Sequence, residues 1–458
     1  MFPIVSKNMD NDQYGVRMMS SFFKEFRINA HLRSASTGKN KGVPYRVLFQ
    51  LVFLLAFLGK NLYRLLDAHS DLPCKKDTVY RFLHTTSINW RSFLLRLSTH
   101  ITTQAILPLV SQRRTVWVLD TTSYERPRSK KVEGLSRIYD YAQKRFTRGF
   151  RLLTLGLTDG ATFLPVSFSL LSSRQEGNQL SPLREDLDGR TRSARLRAES
   201  REKAPDRALA LLREALTVLP AAHTVCCDSW FASPAFLRTL LSMGLSAVCR
   251  LKKTSRIFYY VQGKPVTLPA LYATAKKRFP AHHLFSVCVS LSATEHMPAR
   301  ILFVHSEEEP GKWIALLSTD ITLTEEEILT TYAKRWDIET FFKVTKSSLR
   351  LSREFEVRSF DALVAHTTVV FVRYLMLAVA ARRNRDQRTL GALFYACCDE
   401  LPDITFTEAL CLVYELFAQI IYDVFHIPET RLKKSISEFL HHLPSWLSEK
   451  LMIVMCES

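Results

Sequence analysis

Three carboxylates in the sequence are spaced so that they can act together on a phosphodiester. Asp120 follows the apolar run 116–119, and Asp228 follows a second buried-strand pattern at 224–227. Open α/β sheets bind ligands at the carboxyl ends of their strands, so these two aspartates are predicted to be neighbours despite their distance in sequence. For either aspartate alone, a turn or capping role is the alternative.

The third carboxylate lies in the segment YAKRWDIETFFKVTK, which has a helical pattern. At about 100° per residue, four side chains fall within about 60° of arc. We call these the signature face: Tyr332, Arg335, Glu339 and Lys346. An apolar stripe beside this face anchors the helix, so one carboxylate is presented between cations. A surface helix with ordinary ion pairs is the alternative.

Two aspartates and one glutamate suit two-metal phosphoryl transfer. Carboxylate oxygens are ligands for Mg²⁺ or Mn²⁺. Two such ions, roughly 3.5–4 Å apart, would polarise an attacking water or 3′-hydroxyl and the leaving oxygen. Arg335 and Lys346 are placed to bind the neighbouring phosphates. The nine cysteines include no CxxC spacing and His282-His283 lacks a second ligand cluster, so neither a zinc site nor a disulfide framework is indicated.

The composition favours a polyanionic partner. The formal net charge is +19 and the sequence pI is about 9.6, and each Lys or Arg laid on a phosphate releases condensed counterions. Nucleic acid is the leading candidate, and a basic protein that contacts acidic surfaces is the alternative. The apolar run 47–58 is shorter than the roughly 20 residues that span a bilayer. No signal-peptide pattern opens the chain, so we expect a cytoplasmic protein without membrane contact.

The region 1–110 is predicted to be helical and to bind DNA. Short helices follow one another from about Val43 to Leu97, and Lys75, Lys76 and Arg81 surround the last one before the next turn. This arrangement resembles a helix-turn-helix. A helical bundle with a solvated basic face is an equal alternative.

The region 111–350 is predicted to be an α/β catalytic domain, an RNase H-like mixed sheet with helices on its faces. The order of patterns is strand, strand, strand, helix, strand, helix, strand, with a two-residue hairpin turn at Asp159-Gly160. Another α/β fold is the alternative on pattern alone. A β-rich insertion is expected at about 252–320, and Thr324 with Glu327 forms a capping box for the next helix. The arginine-rich stretch 175–203 is predicted to be an exposed loop. Helical patterns dominate the C-terminal region 351–458.

The signature face reproduces, with its spacings, the Y-(2)-R-(3)-E-(6)-K motif of the insertion sequence 4 family of DDE transposases. Asp120 in VLDTT, Asp228 in CDSWF and the β-rich insertion before Glu339 agree with that family. The resemblance extends from about Gly42 to Arg383.

The resemblance implies an RNase H-like core, Mg²⁺ dependence, and recognition of terminal inverted repeats followed by insertion into target DNA. The residues it implies as catalytic metal ligands are Asp120, Asp228 and Glu339, and those implied as contacts to the transposon end are Tyr332, Arg335 and Lys346. It further implies an aromatic side chain that stacks on a flipped base, for which Trp230 and Trp313 are both candidates.

We therefore expect a cut-and-paste transposase that acts on double-stranded DNA with two bound ions, as a homodimer in the DNA complex. A hydrolytic endonuclease of the same fold, without strand transfer, is one alternative. A DNA-binding relative without catalytic activity is the other.

Overall fold

The computed structural model describes residues 14–37, 42–59, 61–68, 74–109, 115–140, 143–278, 284–305 and 311–383, together with Leu390 and Phe394. Most of the predicted C-terminal helical region, the pair Cys397-Cys398 and His282-His283 lie outside these residues.

Helices surround one large sheet. The helices are α1 (Tyr14–Glu25), α2 (Ile28–Ser34), α3 (Tyr45–Leu54), α4 (Leu62–Ala68), α5 (Lys76–Leu83), α6 (Trp90–Ile101), α7 (Arg192–Ser200), α8 (Ala204–Leu216), α9 (Pro234–Ser242), α10 (Leu268–Arg278), α11 (Glu325–Ala333), α12 (Trp336–Ser347) and α13 (Phe360–Arg383). The strands are β1 (Val116–Glu125), β2 (Ser136–Asp140), β3 (Arg145–Thr158), β4 (Phe163–Leu171), β5 (Thr224–Cys227), β6 (Ser246–Arg250), β7 (Phe258–Val261), β8 (Lys264–Thr267), β9 (Leu284–Ser290), β10 (Pro298–His305) and β11 (Trp313–Ser318).

The centre of the sheet has the strand order β4-β3-β1-β5-β6. Strand β3 is antiparallel to both β4 and β1, whereas β1, β5 and β6 run parallel. Three antiparallel strands followed by two parallel ones confirm the RNase H-like mixed sheet. The predicted hairpin between β3 and β4 is present, but its turn spans residues 159–162 rather than Asp159-Gly160 alone. Gly160 adopts φ 89° there, a conformation that glycine adopts without steric cost.

The predicted β-rich insertion extends the same sheet. Strand β11 pairs antiparallel with β6, and β10, β9, β7 and β8 follow in that order. Helix α10 lies between β8 and β9 in this stretch. The capping box of Thr324 and Glu327 is also present at the start of α11.

The two faces of the sheet carry different helices, because alternate residues of a strand point to opposite sides. Val116 and Val118 of β1 belong to the core that includes α6, α12 and α13. Trp117 and Leu119 belong to the core that includes α8 and α9. We call the side of β1 that carries Val116 and Val118 the even face of β1.

Helix α13 is the central helix of the even face. By length and composition it could cross a membrane, but its most apolar window is fully buried inside the protein. It packs against α3, α5, α6 and β4, so the N-terminal helices and the catalytic layer share one hydrophobic core. The apolar run 47–58 corresponds to α3 and the turn after it.

Three local predictions were wrong. Strand β1 does not end at Asp120 but continues to Glu125, because pairing with β3 persists over its whole length. The arginine-rich stretch is not entirely an exposed loop: it contains α7, whose Arg197 is buried in ion pairs with Glu133 and Asp361. The helix of the signature face is divided at Lys334 and Arg335 into α11 and α12.

Candidate active site

Asp120 and Asp228 meet because of the register between β1 and β5. These parallel strands pair from Trp117 opposite Val225 to Leu119 opposite Cys227. Each aspartate is the next residue after the last pair. Both therefore lie at the point where β5 ends, and β1 continues beyond it without this neighbour.

Arg335 joins Asp120 to Glu339. Its Nη1 atom donates to Asp120 Oδ2 at 2.7 Å and to Glu339 Oε1 at 3.1 Å. Lys334 and Arg335, which lie between α11 and α12, keep right-handed helical dihedral angles, so Arg335 and Glu339 remain on one face. The structure thus brings two of the three predicted ligands onto a single cationic nitrogen, next to the strand end that carries Asp228.

The surroundings of Asp120 disfavour the ionised form of its carboxyl group. Burial raises its pKa to about 7, although Arg335 and the Thr121 amide act in the opposite direction. The neighbouring charges of Glu339 and Asp228 raise the pKa further. A carboxyl of this kind binds an added cation readily, because the cation removes the penalty on its charged form.

Lys346 of α12 contacts β1 farther along the strand, on the same side as Arg335. Its Nζ donates to Thr122 Oγ1 at 2.6 Å, two residues beyond Asp120 on the even face. Burial lowers the pKa of Lys346, and the carboxylates of Asp140, Glu125 and Glu339 oppose that shift. The signature face therefore runs beside β1, with Arg335 at Asp120 and Lys346 at Thr122.

Aromatic rings surround the Arg335 guanidinium. Its Cζ lies 5.6 Å from the centre of the Tyr332 ring and 6.0 Å from that of Trp336. Burial raises the pKa of Tyr332 to about 12, so the phenol stays neutral. Burial disfavours charge on Arg335, but Tyr332, Asp120 and Glu339 together hold its pKa above the usual value. Trp336 is 67% exposed, and no sequence pattern singled it out.

A basic cleft of about 900 Å³ opens beside Asp228. Its cationic and aromatic lining comprises Arg250, Lys252, Lys253, His305, Lys312 and Trp313. Trp313 stacks on Tyr272 with 4.1 Å between ring centres, and Lys253 lies over its ring. Trp230 is 38% exposed and has Arg151 over its ring. The lysines and Arg250 were missed, since cations scattered through an insertion carry no recognisable spacing.

The three carboxylates suit a hard divalent cation, although their oxygen atoms do not all face one point. Within the described ranges, no group of three or more His, Cys, Asp or Glu side chains is arranged to hold a metal ion. Arg335 Nη1 instead lies between Asp120 and Glu339, where the positive guanidinium occupies the position that a metal cation would take. Carboxylate oxygens converging on one positive centre are the ligands that Mg²⁺ prefers.

The predicted DNA-reading residues lie on a different part of the chain. Lys75, Lys76 and Arg81 are exposed around α5, whose Val79 and Phe82 are buried. The helix therefore presents a basic outer side and packs its apolar side. The structure does not bring these cations to the carboxylates.

Comparison with known protein families identifies the group to which these residues belong. The family model described as "DDE superfamily endonuclease" matches residues 51–283. The chain belongs to the DDE superfamily endonucleases. The match includes Asp120 and Asp228 and ends before Glu339, so it places this DDE endonuclease in the superfamily without testing the signature face.

Among solved structures, the chain is similar to a piggyBac transposase in a synaptic complex with hairpin DNA. The identity is 13%, the TM-score is 0.44, and the alignment covers 86% of this chain and 79% of that one. No curated protein matches the sequence.

Proposed function

We propose that this DDE endonuclease is a cut-and-paste DNA transposase of the insertion sequence 4 family. The observation that carries the proposal is the convergence of Asp120 and Glu339 on Arg335, beside Asp228, in a chain of this superfamily. The complete signature face supports the narrower family.

Asp120, Asp228 and Glu339 would hold two Mg²⁺ ions, or Mn²⁺, in the active complex. When bound, these ions polarise the attacking water or 3′-hydroxyl and stabilise the leaving oxygen. The raised pKa of Asp120 supports this assignment, because a buried carboxyl favours cation binding.

Arg335 changes partners in this proposal. Asp120 and Glu339 would hold a divalent cation in place of the guanidinium, and Arg335 would then be available to bind a phosphate of the cut strand. Its planar set of donors matches phosphate oxygens. Lys346 and Tyr332 are the further contacts to the transposon end, and the short contact of Lys346 with Thr122 holds its charge beside β1.

The rest of the chain supplies DNA recognition. We assign the region 1–110 to the reading of terminal inverted repeats through Lys75, Lys76 and Arg81. The region 111–350 is assigned to catalysis, and 351–458 to a helical C-terminal region. Trp230 and Trp313 both stay candidates for stacking on a base, since Arg151 lies over the ring of Trp230 and Tyr272 and Lys253 lie against that of Trp313. A homodimer on DNA, in the cytoplasm, completes the proposal.

Cleavage and joining distinguish the transposase from its two alternatives. The probe is a duplex carrying the DNA that borders the gene, incubated with Mg²⁺ or with EDTA. A transposase cuts at the repeat end and joins the new 3′-hydroxyl to a second duplex. An endonuclease cuts without joining, and an inactive DNA-binding relative does neither.

Single substitutions test the three carboxylates. Asp120→Asn, Asp228→Asn and Glu339→Gln should each abolish cleavage and joining while end binding in EDTA persists. Glu326→Gln is the matched control, because Glu326 is exposed on α11. Cleavage at the control rate by any one of the three variants would remove that residue from the active site.

The assignment of α5 has its own test. Replacing Lys75, Lys76 and Arg81 together by alanine should weaken binding to the gene-border duplex more than binding to a scrambled duplex, if these residues read sequence. Phosphate contacts carry no sequence information. An equal loss of affinity for both duplexes would show that α5 contacts only the DNA backbone.

A further inference from the structure

A second basic cleft lies at the far end of β1, away from Asp120. It has a volume of about 750 Å³ and is formed by the loop after β1 and the segment after α12. We call it the β1-end cleft. Its cations are Arg126, Arg128, Lys130, Lys131, Arg353 and Arg358, and its acids are Glu125 and Glu356. This excess of positive charge favours an anionic ligand.

The outer cations of the cleft are not used by the fold. The side chains of Arg128, Lys130, Lys131, Arg353 and Arg358 are exposed. None of the five makes an ion pair with any residue that the structure describes. Arg197, by contrast, is buried in ion pairs with Glu133 and Asp361. The cleft cations are therefore available to an external partner.

The floor of the cleft has unused hydrogen-bonding capacity. Arg126 is only 6% exposed, and its Nη1 donates to the Phe355 carbonyl at 2.8 Å. Among the residues that the structure describes, its Nε and Nη2 have no hydrogen-bond partner, and neither does the hydroxyl of Tyr124, whose ring lies 5.8 Å from the guanidinium. Buried polar groups without partners are costly. A ligand rich in acceptor oxygens would satisfy this side chain.

The cleft continues the line of the active site. Asp120, Thr122 and Tyr124 occupy alternate positions on the even face of β1, and Arg126 follows at the same period. At about 3.4 Å per residue, Asp120 and Arg126 are roughly 20 Å apart along the strand. This corresponds to about six base pairs of duplex DNA. Lys346 lies between the two positions.

We propose that the β1-end cleft binds backbone phosphates of duplex DNA, as the outer part of a cationic track that begins at Arg335. This inference rests on the proposed function, because that function supplies DNA as the anion. The exposed cations hold the backbone, and Arg126 supplies fixed charge at the floor.

Equilibrium binding of a fluorescent 40-base-pair duplex to the full chain in EDTA tests the cleft without any cleavage. Lys130→Ala/Lys131→Ala should lower the slope of log K against log salt by about 1.8 units, because each lost contact removes about 0.9. At 0.15 M salt this is roughly a 30-fold rise in Kd. Lys203→Ala/Arg213→Ala removes the same charge from exposed positions on and beside α8, on the opposite face of the sheet.

The control variant should bind as the original chain does. Equal losses in both double variants, or no loss in either, would overturn the inference. Glu339→Gln should bind normally in this assay, so a failure of the proposed catalysis is distinguishable from a failure of the cleft.

Arg126→Lys separates the floor from the outer cations. It keeps the charge but loses the planar donors, so Kd should rise about two- to tenfold, the worth of one hydrogen bond, with little change in salt slope. A melting curve reports whether this variant folds. If it does not, the Lys130→Ala/Lys131→Ala result decides alone. Binding unchanged in a folded Arg126→Lys variant would contradict the role of the floor.

Discussion

Glu354→Gln is expected to destabilise the whole chain, because Glu354 balances the charge of an arginine inside the protein. Arg373 of α13 is 0% exposed, Glu354 is 2% exposed, and their nearest atoms are 2.9 Å apart. Arg373 also donates to the carbonyls of Val52, Phe53 and Leu349. This cation thus ties the end of α3 to the segment after α12.

The magnitude follows from what the substitution leaves behind. Glutamine retains the shape of glutamate but not its charge, so the Arg373 guanidinium stays buried without a counterion. Removal of one partner from a buried pair costs about 3 to 5 kcal/mol. His366 cannot compensate, because burial lowers its pKa and keeps the ring neutral. We therefore expect a loss of about 3 to 5 kcal/mol in the free energy of unfolding.

Acid should have the same effect in the original chain. Burial favours the neutral form of Glu354, but Arg373 and then His366 hold its folded-state pKa below the ordinary 4.5. A carboxyl with a lowered pKa stabilises the fold above its unfolded pKa, and this stabilisation is lost as the pH falls through the folded pKa. The Gln variant should lack this part of the acid transition.

Urea denaturation at pH 7 measures the difference, provided that the slope m is unchanged. The matched control is Glu185→Gln, since Glu185 is 81% exposed and lies 3.9 Å from Arg201. It should change the free energy of unfolding by less than about 1 kcal/mol. A loss below about 1 kcal/mol in Glu354→Gln would refute the reasoning, because it would mean that Arg373 finds another counterion or water.

Three further predictions follow from the site and the sheet. The metal-free chain should lose stability as the pH rises from about 4 to about 7. The reason is that the raised pKa of Asp120 lets the folded state keep a proton that the unfolded state has released. Urea titration in EDTA should show that Asp120→Asn lacks this loss. Asp337→Leu removes the acceptor of the Thr158 hydroxyl, at 2.5 Å, and should lower the free energy of unfolding by about 1 to 3 kcal/mol, which a normal urea midpoint would contradict. Gly156→Ala should lower the melting temperature, since its Cβ would lie 2.1 Å from the Phe163 ring; an unchanged melting curve would show that this ring moves freely.

The parts of the site that depend on local pattern were predictable. Apolar runs that end in Asp120 and Asp228 indicated neighbouring strand ends, and the register of β1 and β5 confirms that proximity. Helical spacing also placed Arg335 and Glu339 on one face. The catalytic roles of these residues stay predictions.

Long-range pairing was not predictable from one sequence. The extension of β1 to Glu125 depends on β3, which supplies hydrogen-bond partners from a segment some distance away. Arg197 looks like a solvated cation in an arginine-rich stretch, because its partners Glu133 and Asp361 come from remote parts of the chain. Tertiary contacts decide whether such a charged side chain is buried or solvated, and sequence spacing alone does not reveal those contacts.

The continuation of the sheet from β6 into β11 also protects the chain against aggregation. Strand β6 is apolar and buried through Ala247, Val248 and Cys249, and without a neighbour its edge would offer unpaired backbone groups to another molecule. Strand β11 pairs with this edge through Leu316, Leu317 and Ser318. Deletion of the insertion would therefore leave a short, apolar edge strand, so a shortened chain should accumulate as β-rich aggregates even if its carboxylates were correctly placed.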